Sequence, residues 1–466
     1  MDKNSFWSLG KTKNLLVAMA WLGQGLPGEK DRPKEAYSGG DTTRWTTGGN
    51  AFNLPSPNLT ATNRASFFVG DSFFKQNWIA APASASARDG VGPFFNARSC
   101  SACHQRDGRG KLPDPGEPAV GIVVKVSSGV DPKTRAPIPH PTYGLQIQNF
   151  ALPGLKPEAV VKVAWESFRG KYDDGSPYEL KKPIFRITDW LHGAPAPSLK
   201  TSARLAPQVF GMGLLQAIPE STLRAWADPK DSDGNGISGK LQKVGRRGET
   251  NPIVGRFGWK AEQPTVRQQT AEALGSDMGL SSSAHPRDLD HGLPVDRAKY
   301  PSGGSPEVED KILDHLAKYP MLLAVPGRRN TSEKEVLEGK KIFEELQCAA
   351  CHKPTARTGK LPGVPEVSDQ EIQPFTDLLL HDMGPELADA LPAYEAAGSE
   401  WRTPPLWGLG LFEKVNGYLF LLHDGRARTI EEAILWHGGE AENSAKQFKS
   451  LNAKRRSSLI QFLKSL

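Results

Sequence analysis

The chain has 466 residues, which is enough for two or three hydrophobic cores and too many for one small domain. Hydrophobic residues make up 38% of the sequence and aromatic residues 8%, so a folded interior is expected and wholesale disorder is excluded. The net charge is +6, with Lys and Arg spread along the chain. A nucleic-acid-binding protein would concentrate them on one element, so we expect no nucleic-acid partner.

The first 28 residues are similar to a secretory signal peptide. Lys3, Lys11 and Lys13 precede an apolar run from Leu15 to Leu22, which is the order of regions in an export signal. That run is too short to cross a bilayer, and no later stretch is long and apolar enough to do so. We therefore expect an exported protein without a membrane span.

All four cysteines lie in two segments of the same pattern, Cys-x-x-Cys-His, at 100–104 and 348–352. On a helical turn, the two thiols and the imidazole of such a segment share one face. Two porphyrin vinyl groups can then receive the thiols while the imidazole approaches the iron, as in covalent c-type haem attachment. The predicted residues that bind two haem c groups are Cys100, Cys103, His104, Cys348, Cys351 and His352.

A zinc site is the main alternative, because two Cys-x-x-Cys pairs are also a zinc pattern. Zinc would require the pairs to meet across about 245 residues and would leave both adjacent histidines without a role. A thioredoxin-like redox pair would require a βαβ context that the sequence does not show. Haem accounts for all four cysteines, and because c-type haem is attached outside the cytoplasm, it also favours a periplasmic location.

Helical patterns surround both segments. Gly339 and Phe343 stand four residues apart before the second segment, and Gly70 and Phe74 repeat this spacing before the first. This resembles the first helix of small cytochromes c, where glycine lets another helix cross closely, and the apolar C-terminal stretch is a suitable partner. We predict a mainly α fold, with two cytochrome c-like domains and an irregular α+β insertion between them. The predicted divisions are a signal peptide at 1–28, haem domains at 29–145 and 326–466, and the insertion at 146–325.

The insertion contains a second candidate metal site. Asp231, Asp233 and Asn235 place oxygen atoms at positions one, three and five, with Gly236 at position six, as in an EF-hand-type calcium loop. Position twelve is Gln242 instead of the bidentate Glu of that loop, and similar runs are common as plain turns. Calcium binding and a plain turn therefore both stay open.

Longer strings carry a family resemblance. They include GPFFNARSCSACHQRDGRG, RLAPQVFGMGLLQAIPE, GRFGWKA, PFTDLLLHDMGPELAD and HDGRARTIEEAILWHGGEA. From about residue 65 to its end, the chain resembles the di-haem oxidoreductase family, which is related to the bacterial di-haem cytochrome c peroxidases. The resemblance implies redox chemistry at two haems, but a shared fold does not define the substrate.

The resemblance also implies a second axial ligand for the C-terminal haem. In the peroxidase relatives it follows the His of an HxG motif by fourteen residues, and here His423 opens HDG and His437 stands fourteen residues later. Although a His on an apolar helix face is often a core residue, we predict ligation by His437. Ligation by two histidines would leave that iron for electron transfer alone. His381 and His423 are then candidates for hydrogen bonds to a propionate or a ligand, and Met383 is a weaker alternative ligand.

The catalytic residues are predicted by the same resemblance. In the peroxidase relatives, an R-x-A-P segment lies on the distal side of the first haem, followed by a Gln and a Glu that move the protons of peroxide. Arg204, Gln216 and Glu220 are the matching residues here, with contracted spacing. A helix end and a turn are the alternative roles of Gln216 and Glu220.

These patterns and the family resemblance together predict a periplasmic di-haem c-type oxidoreductase of the peroxidase type. Electrons would enter at the C-terminal haem from a small redox protein, a cytochrome or a cupredoxin, and be used at the N-terminal haem on peroxide or a protein substrate. The alternative is a di-haem electron-transfer cytochrome without turnover of its own. The short basic runs at 246–247 and 454–456 suit solvated faces or a docking patch for an acidic redox partner.

Overall fold

The computed structural model describes residues 32–114, 116–196, 199–245, 252–286 and 298–466. The predicted signal peptide at 1–28 and the basic pair at 246–247 lie outside these residues. In the described parts of the chain, no helix combines the length and the apolar character needed to cross a bilayer.

The helices and strands are numbered in chain order. The α-helices are α1 (Ala61–Lys75), α2 (Cys100–Cys103), α3 (Met212–Ala217), α4 (Glu220–Trp226), α5 (Val266–Met278), α6 (Asp310–Leu322), α7 (Lys334–Glu345), α8 (Gly384–Leu387), α9 (Phe412–Asn416), α10 (Ile430–Leu435), α11 (Glu442–Ser450) and α12 (Ala453–Ser465). The strands are β1 (Thr43–Arg44), β2 (Phe94–Phe95), β3 (Ile122–Ser127), β4 (Gly129–Val130), β5 (Pro137–Ile138), β6 (Gln146–Ile147), β7 (Phe150–Ala151), β8 (Val160–Lys171), β9 (Pro177–Thr188), β10 (Lys200–Leu205), β11 (Lys243–Val244), β12 (Ile253–Val254), β13 (Val325–Pro326), β14 (Ala356–Arg357), β15 (Glu371–Ile372), β16 (Leu380–Asp382) and β17 (Glu400–Arg402).

The prediction of a mainly α fold with two cytochrome c-like domains is wrong. The chain is 32% helical and 19% strand, and its strands form many small sheets. The helical patterns around the Cys-x-x-Cys-His segments are local, whereas β-branched runs such as β3 form strands within the range predicted to be a cytochrome c-like domain. One hydrophobic cluster also extends from Ala51 to Leu466, so the interior is not divided between two helical units.

Two close helix crossings frame the Cys-x-x-Cys-His segments. An added Cβ at Gly339 of α7 would collide with the backbone oxygen of Ser458 in α12, so the predicted crossing of these helices at a glycine is confirmed. At Gly70 of α1, an added Cβ would collide with the backbone oxygen of His315, and the crossing helix there is α6. Glycine allows both backbone approaches because it has no Cβ.

A three-stranded antiparallel sheet has the strand order β10-β3-β6. Its strand β10 ends close to the first Cys-x-x-Cys-His segment. β10 pairs with β3 along its whole length, with Arg204 opposite Val123 and Leu205 opposite Ile122. The chain leaves β10 at Leu205 and runs directly to Pro207, beside the first Cys-x-x-Cys-His segment. The sheet thus determines where this short connection lies.

β8 and β9 form a separate antiparallel ribbon with twelve residue pairs, from Val160 opposite Thr188 to Lys171 opposite Pro177. Its turn is attached to the C-terminal helices, because the hydroxyl of Tyr172 donates to Glu431 Oε1 at 2.8 Å. The guanidinium of Arg456 also lies 3.8 Å from the centre of the Tyr172 ring. These contacts fix the ribbon against α10 and α12.

The residues after the first segment are interlocked with the approach to His423. The buried Arg109 guanidinium donates to the carbonyl oxygens of Phe420 at 2.7 Å and Leu422 at 2.9 Å. In return, the hydroxyl of Tyr418 donates to the carbonyl oxygen of Arg109 at 2.8 Å. Segments more than 300 residues apart therefore complete each other's backbone hydrogen bonding.

Candidate functional site

The second Cys-x-x-Cys-His segment opens onto a cavity, called here the C-terminal cavity. Its empty space, including the part open to solvent, is about 1420 Å³. Cys348, Cys351 and His352 line one part of it, and His437, which directly follows α10, lines another. Its wall is predominantly apolar, with side chains from α7, α10 and α12. The predicted haem-binding residues of this half of the chain thus meet in one space.

The two imidazoles of the C-terminal cavity have the form of metal ligands. Nδ1 of His352 donates to the carbonyl oxygen of Phe375 at 3.0 Å, and Nδ1 of His437 donates to that of Ala433 at 2.6 Å. Burial, and next the nearby charge of His437, lower the pKa of His352 to about 4. Burial likewise lowers the pKa of His437. Both rings are neutral, with Nε2 free of partners among the described residues, as iron requires.

His381 has a different role from these two ligand candidates. Its Nε2 lies 2.9 Å from Asp377 Oδ2 and its Nδ1 2.7 Å from Glu440 Oε2, so neither ring nitrogen is free. Burial alone would lower the pKa of His381, but its hydrogen bonds, that to Asp377 foremost, raise it well above the ordinary value. Its Nδ1 also lies 3.4 Å from Cys351 Sγ. His381 is therefore a charged group that connects the carboxylates of Asp377 and Glu440.

His423 and Met383 also line the C-terminal cavity. The His423 ring is stacked on Trp401, with centroids 3.7 Å apart and planes inclined by 10°. Burial lowers the pKa of His423 to about 4, so this ring is neutral. Stacking on Trp401 fixes the orientation of the His423 ring. His423 and Met383 thus lie in the same cavity as His352 and His437.

The first Cys-x-x-Cys-His segment opens onto a separate cavity, called here the N-terminal cavity, of about 2090 Å³ including the part open to solvent. Cys100, Cys103 and His104 line it. Nδ1 of His104 donates to the carbonyl oxygen of Pro207 at 2.6 Å, and burial lowers the pKa of His104 to about 4. This imidazole is again neutral, with Nε2 free of partners among the described residues.

The cysteine pairs do not meet. Because one pair lines the N-terminal cavity and the other the C-terminal cavity, they cannot form the four-cysteine zinc site considered as an alternative. Burial raises the pKa of Cys103 and of Cys348 to about 12, so both sulfurs are protonated thiols.

Arg204, Gln216 and Glu220 are placed apart. Arg204 lines the N-terminal cavity and pairs with Asp389 at 3.1 Å. Gln216, in α3, accepts a hydrogen bond from the backbone N–H of Val266 at 2.7 Å. Glu220 begins α4, is exposed, and pairs with Arg224. Gln216 and Glu220 do not line the cavity, and their positions are the helix end and turn given as their alternative roles.

A different glutamate and glutamine lie in the N-terminal cavity. A Cβ built on Gly258 would lie 3.1 Å from Glu262 Oε2 and 3.7 Å from Gln269 Oε1, so both oxygens face the same point. The Gln269 oxygen is buried and has no hydrogen-bond partner among the described residues. Arg204 Nη1 lies 3.6 Å from Glu262 Oε2. A buried acceptor without a partner, next to a carboxylate, can receive a hydrogen bond from a bound molecule.

Tyr394 completes this group. It lines the N-terminal cavity, and burial, together with the charges of Glu262 and Glu272, raises its pKa to about 12. Its φ of 52° is unusual for an aromatic residue, and such strain is often held at functional sites. The sequence analysis missed Glu262, Gln269 and Tyr394 because only the fold brings them together.

The two cavities share a wall. Gln208, Trp259, Arg402, Pro404 and Pro405 line both of them. The indole N–H of Trp259 donates to the carbonyl oxygen of Leu205 at 2.7 Å, which holds the ring between the cavities. A single layer of side chains therefore separates the two spaces.

The Asp231 loop satisfies its own polar groups. Asp231 accepts from the backbone N–H of Gly236 at 3.1 Å, and the Asn235 amide donates to Asp233 Oδ2 at 2.8 Å. In the described parts of the chain, no three or more His, Cys, Asp or Glu side chains are grouped so that they could hold a metal ion. Calcium binding at this loop stays a prediction.

The family model described as "Di-haem oxidoreductase, putative peroxidase" matches residues 34–466. The chain belongs to the di-haem oxidoreductase family. Two haems are therefore its cofactors, and its two cavities, each with a neutral histidine and a pair of thiols, fit them. As an oxidoreductase, this protein also requires redox partners.

Comparison of the di-haem oxidoreductase with curated proteins gave no match. Among solved structures, hydrazine synthase of Kuenenia stuttgartiensis, pressurized with 20 bar xenon, is 13% identical. The alignment covers 91% of this chain and 96% of that chain, with a TM-score of 0.33. At that TM-score, the likeness supports no conclusion about fold or function.

Proposed function

We propose that this di-haem oxidoreductase is a periplasmic c-type peroxidase, which receives electrons at the C-terminal haem and uses them at the N-terminal haem. One observation carries the proposal. Two histidines whose Nδ1 is held by a backbone carbonyl, His352 and His437, line the C-terminal cavity, whereas His104 is the only histidine among the described residues that line the N-terminal cavity. The two irons would therefore differ in the number of histidines available to hold them, two in the C-terminal cavity and one in the N-terminal cavity.

The haems are attached covalently, through Cys100 and Cys103 in one cavity and Cys348 and Cys351 in the other. Each thiol pair lines the same space as its own histidine, which supports this assignment. Attachment of this kind occurs outside the cytoplasm, so it also supports a periplasmic location. Pro207 and Phe375 supply the carbonyl groups that orient the two proximal imidazoles.

His437 would be the second protein ligand of the iron in the C-terminal cavity. Its Nδ1–H is held by the carbonyl oxygen of Ala433, so its Nε2 lone pair is the one available to iron. With histidine on both sides, that centre has no position for substrate. Its role is to accept electrons from a redox protein and pass them on.

Glu262 and Gln269 handle peroxide at the N-terminal cavity, where the haem supplies redox-active iron. Reduction of one hydrogen peroxide consumes two electrons and two protons and gives two waters. The carboxylate of Glu262 takes the proton from one peroxide oxygen and returns it to the other, which assists cleavage of the O–O bond. Gln269 Oε1 accepts a hydrogen bond from the peroxide, and Arg204 lies beside Glu262.

Electrons cross between the haems through the shared wall. Trp259 lines both cavities, and its ring is held by the hydrogen bond to Leu205. Pro404 and Pro405 lie in the same wall and also line both cavities. This layer is the short path that the proposed electron flow requires.

A second candidate function is that of an electron-transfer cytochrome without turnover. Met212 and Met278 line the N-terminal cavity, and a thioether from either would close the iron to substrate. Visible and EPR spectra with and without cyanide separate the two functions. The peroxidase predicts one low-spin haem and one haem that binds cyanide, whereas two low-spin haems indifferent to cyanide would establish the carrier.

A further inference from the structure

The ribbon formed by β8 and β9 has an outer face that is basic and aromatic. Residues directly opposite each other share a face, as do alternate residues along a strand. Trp165 is paired with Pro183, Ser167 with Lys181, Arg169 with Glu179 and Lys171 with Pro177. We call the side chains of Trp165, Ser167, Arg169, Lys171, Glu179 and Lys181 the outer ribbon face. It has three cations and one carboxylate.

This face is available for contact. Trp165 is 36% exposed, and Arg169 and Lys171 are also exposed. Lys181 lies 3.9 Å from Glu179, but Arg169 and Lys171 have no ion-pair partner among the described residues. The outer ribbon face therefore keeps an uncompensated positive charge around a large aromatic ring.

The opposite face of the ribbon packs against Trp436, at the end of α10 and next to the proposed haem ligand His437. Phe168 meets the ring of Trp436 edge-on, with centroids 5.9 Å apart and planes at 84°. Leu180, on the same face, is buried. Trp436 directly precedes His437. One ribbon layer, about 10 Å thick, thus lies between the outer ribbon face and this contact.

The ribbon is held in place before any partner arrives. Tyr172 donates to Glu431, and Arg456 pairs with Asp174 at 2.8 Å while covering the Tyr172 ring. An interface that is already ordered loses little conformational entropy on binding. Trp and Arg, the two side chains that dominate binding energy in protein interfaces, are both on the outer ribbon face.

We propose that the outer ribbon face binds the acidic face of a small redox protein, which reduces the C-terminal haem across the ribbon. The proposal rests on the proposed direction of electron flow. Charge complementarity identifies the occupant, because a positive face steers a negative one to it. A second copy of this chain fits less well, since each copy has a net charge of +6.

Stopped-flow reduction of the oxidised holoprotein tests this interface. The probe is a reduced acidic plastocyanin, with a reduced basic cupredoxin and dithionite for comparison. The R169E/K181E variant should lose about 10- to 100-fold in the bimolecular rate with plastocyanin at low salt. Trp165→Ala should also lose rate, but it should keep the salt dependence of the wild type. Reduction by dithionite should be unchanged in both variants.

The matched control is R64E/K334E, which makes the same change in net charge at exposed positions of α1 and α7. This variant should retain the wild-type rate with plastocyanin. Equal losses in both double variants would overturn the proposal, because net charge alone would then set the rate. Faster reduction of the wild type by the basic cupredoxin than by plastocyanin would also overturn it. The same holds if R169E/K181E changes only self-association or binding to anionic vesicles and leaves the rate with plastocyanin unchanged.

The readout is haem reduction, so it is independent of peroxide. Normal reduction through the outer ribbon face, with no peroxide turnover, would reject the peroxidase and keep the interface. Peroxide turnover with an artificial dye, combined with unchanged plastocyanin kinetics in R169E/K181E, would reject the interface and keep the peroxidase.

Discussion

The imidazole Nδ1 of His104 donates a hydrogen bond of 2.6 Å to the carbonyl oxygen of Pro207. Pro207 ends the R-x-A-P segment that family resemblance had assigned to the distal side of the first haem. The bond puts this segment beside the proximal imidazole, where it holds the ring and its tautomer. Glu262 and Gln269 are the groups that we propose for peroxide, because their oxygens face the same point of the N-terminal cavity.

Glu262→Gln should slow peroxide reduction by about two to four orders of magnitude, the usual contribution of a positioned acid-base group. Haem content and spectra should not change, because the substitution keeps the size of the side chain. Steady-state oxidation of a reduced cytochrome by peroxide measures the effect. Glu220→Gln is the matched control and should react at the wild-type rate, since Glu220 is exposed and pairs with Arg224. The opposite ranking would return the role to Glu220.

His437→Ala should convert the C-terminal haem from low-spin to high-spin. Its reduction potential should rise, because a strong donor ligand is lost. EPR and a spectroscopic redox titration detect both changes. Met383→Leu serves as the control in the same cavity and should leave the spectrum unaltered. If the control changed the spin state and His437→Ala did not, Met383 would be the ligand.

The mass of the mature protein should exceed that of its polypeptide by two haems, and acidified solvent should extract neither. Cys348→Ser should leave its haem bound through one thioether and shift the alkaline pyridine haemochrome band of that haem. Mass spectrometry and the haemochrome spectrum provide the measurements. Complete extraction of haem from the wild type would disprove covalent attachment.

Gly339→Ala should destabilise the protein by about 1–3 kcal/mol, the usual cost of overpacking a close contact. The added Cβ meets the backbone oxygen of Ser458, which a helix cannot move without shifting α12. Urea unfolding followed by far-UV circular dichroism measures the loss. Leu337→Ala, on the same helix and 44% exposed, should cost far less. Equal effects would show that the crossing tolerates a methyl group.

Local patterns in the sequence predicted much of the C-terminal site. Cys348, Cys351 and His352 are close in sequence, and the family resemblance implied His437, fourteen residues after His423. These residues meet in one cavity. Each lies beside a helix whose apolar face could be predicted from the spacing of its hydrophobic residues. The crossing at Gly339 was predictable for the same reason.

The rest depended on contacts between distant residues. Glu262 and Tyr394 are 132 positions apart in the sequence, and no spacing rule relates them. The ribbon was taken for part of an irregular insertion, although Val-Lys-Val-Ala-Trp-Glu in β8 has the composition of a strand. An isolated two-stranded ribbon has a weak pattern because both of its faces are partly exposed. The predicted fold class was wrong because such strands were not recognised.

The hydrogen bonds from Arg109 to Phe420 and Leu422 have a consequence for folding during synthesis. The guanidinium is buried, and the carbonyl groups that satisfy it are more than 300 residues further along the chain. A fragment that ends before Phe420 would leave the Arg109 guanidinium with Gln208 as its one remaining side-chain acceptor among these contacts, and a buried cation with unpaired donors is costly. These two hydrogen bonds can form only once the C-terminal segment has been synthesised, and a protein that received the N-terminal half alone would lose them.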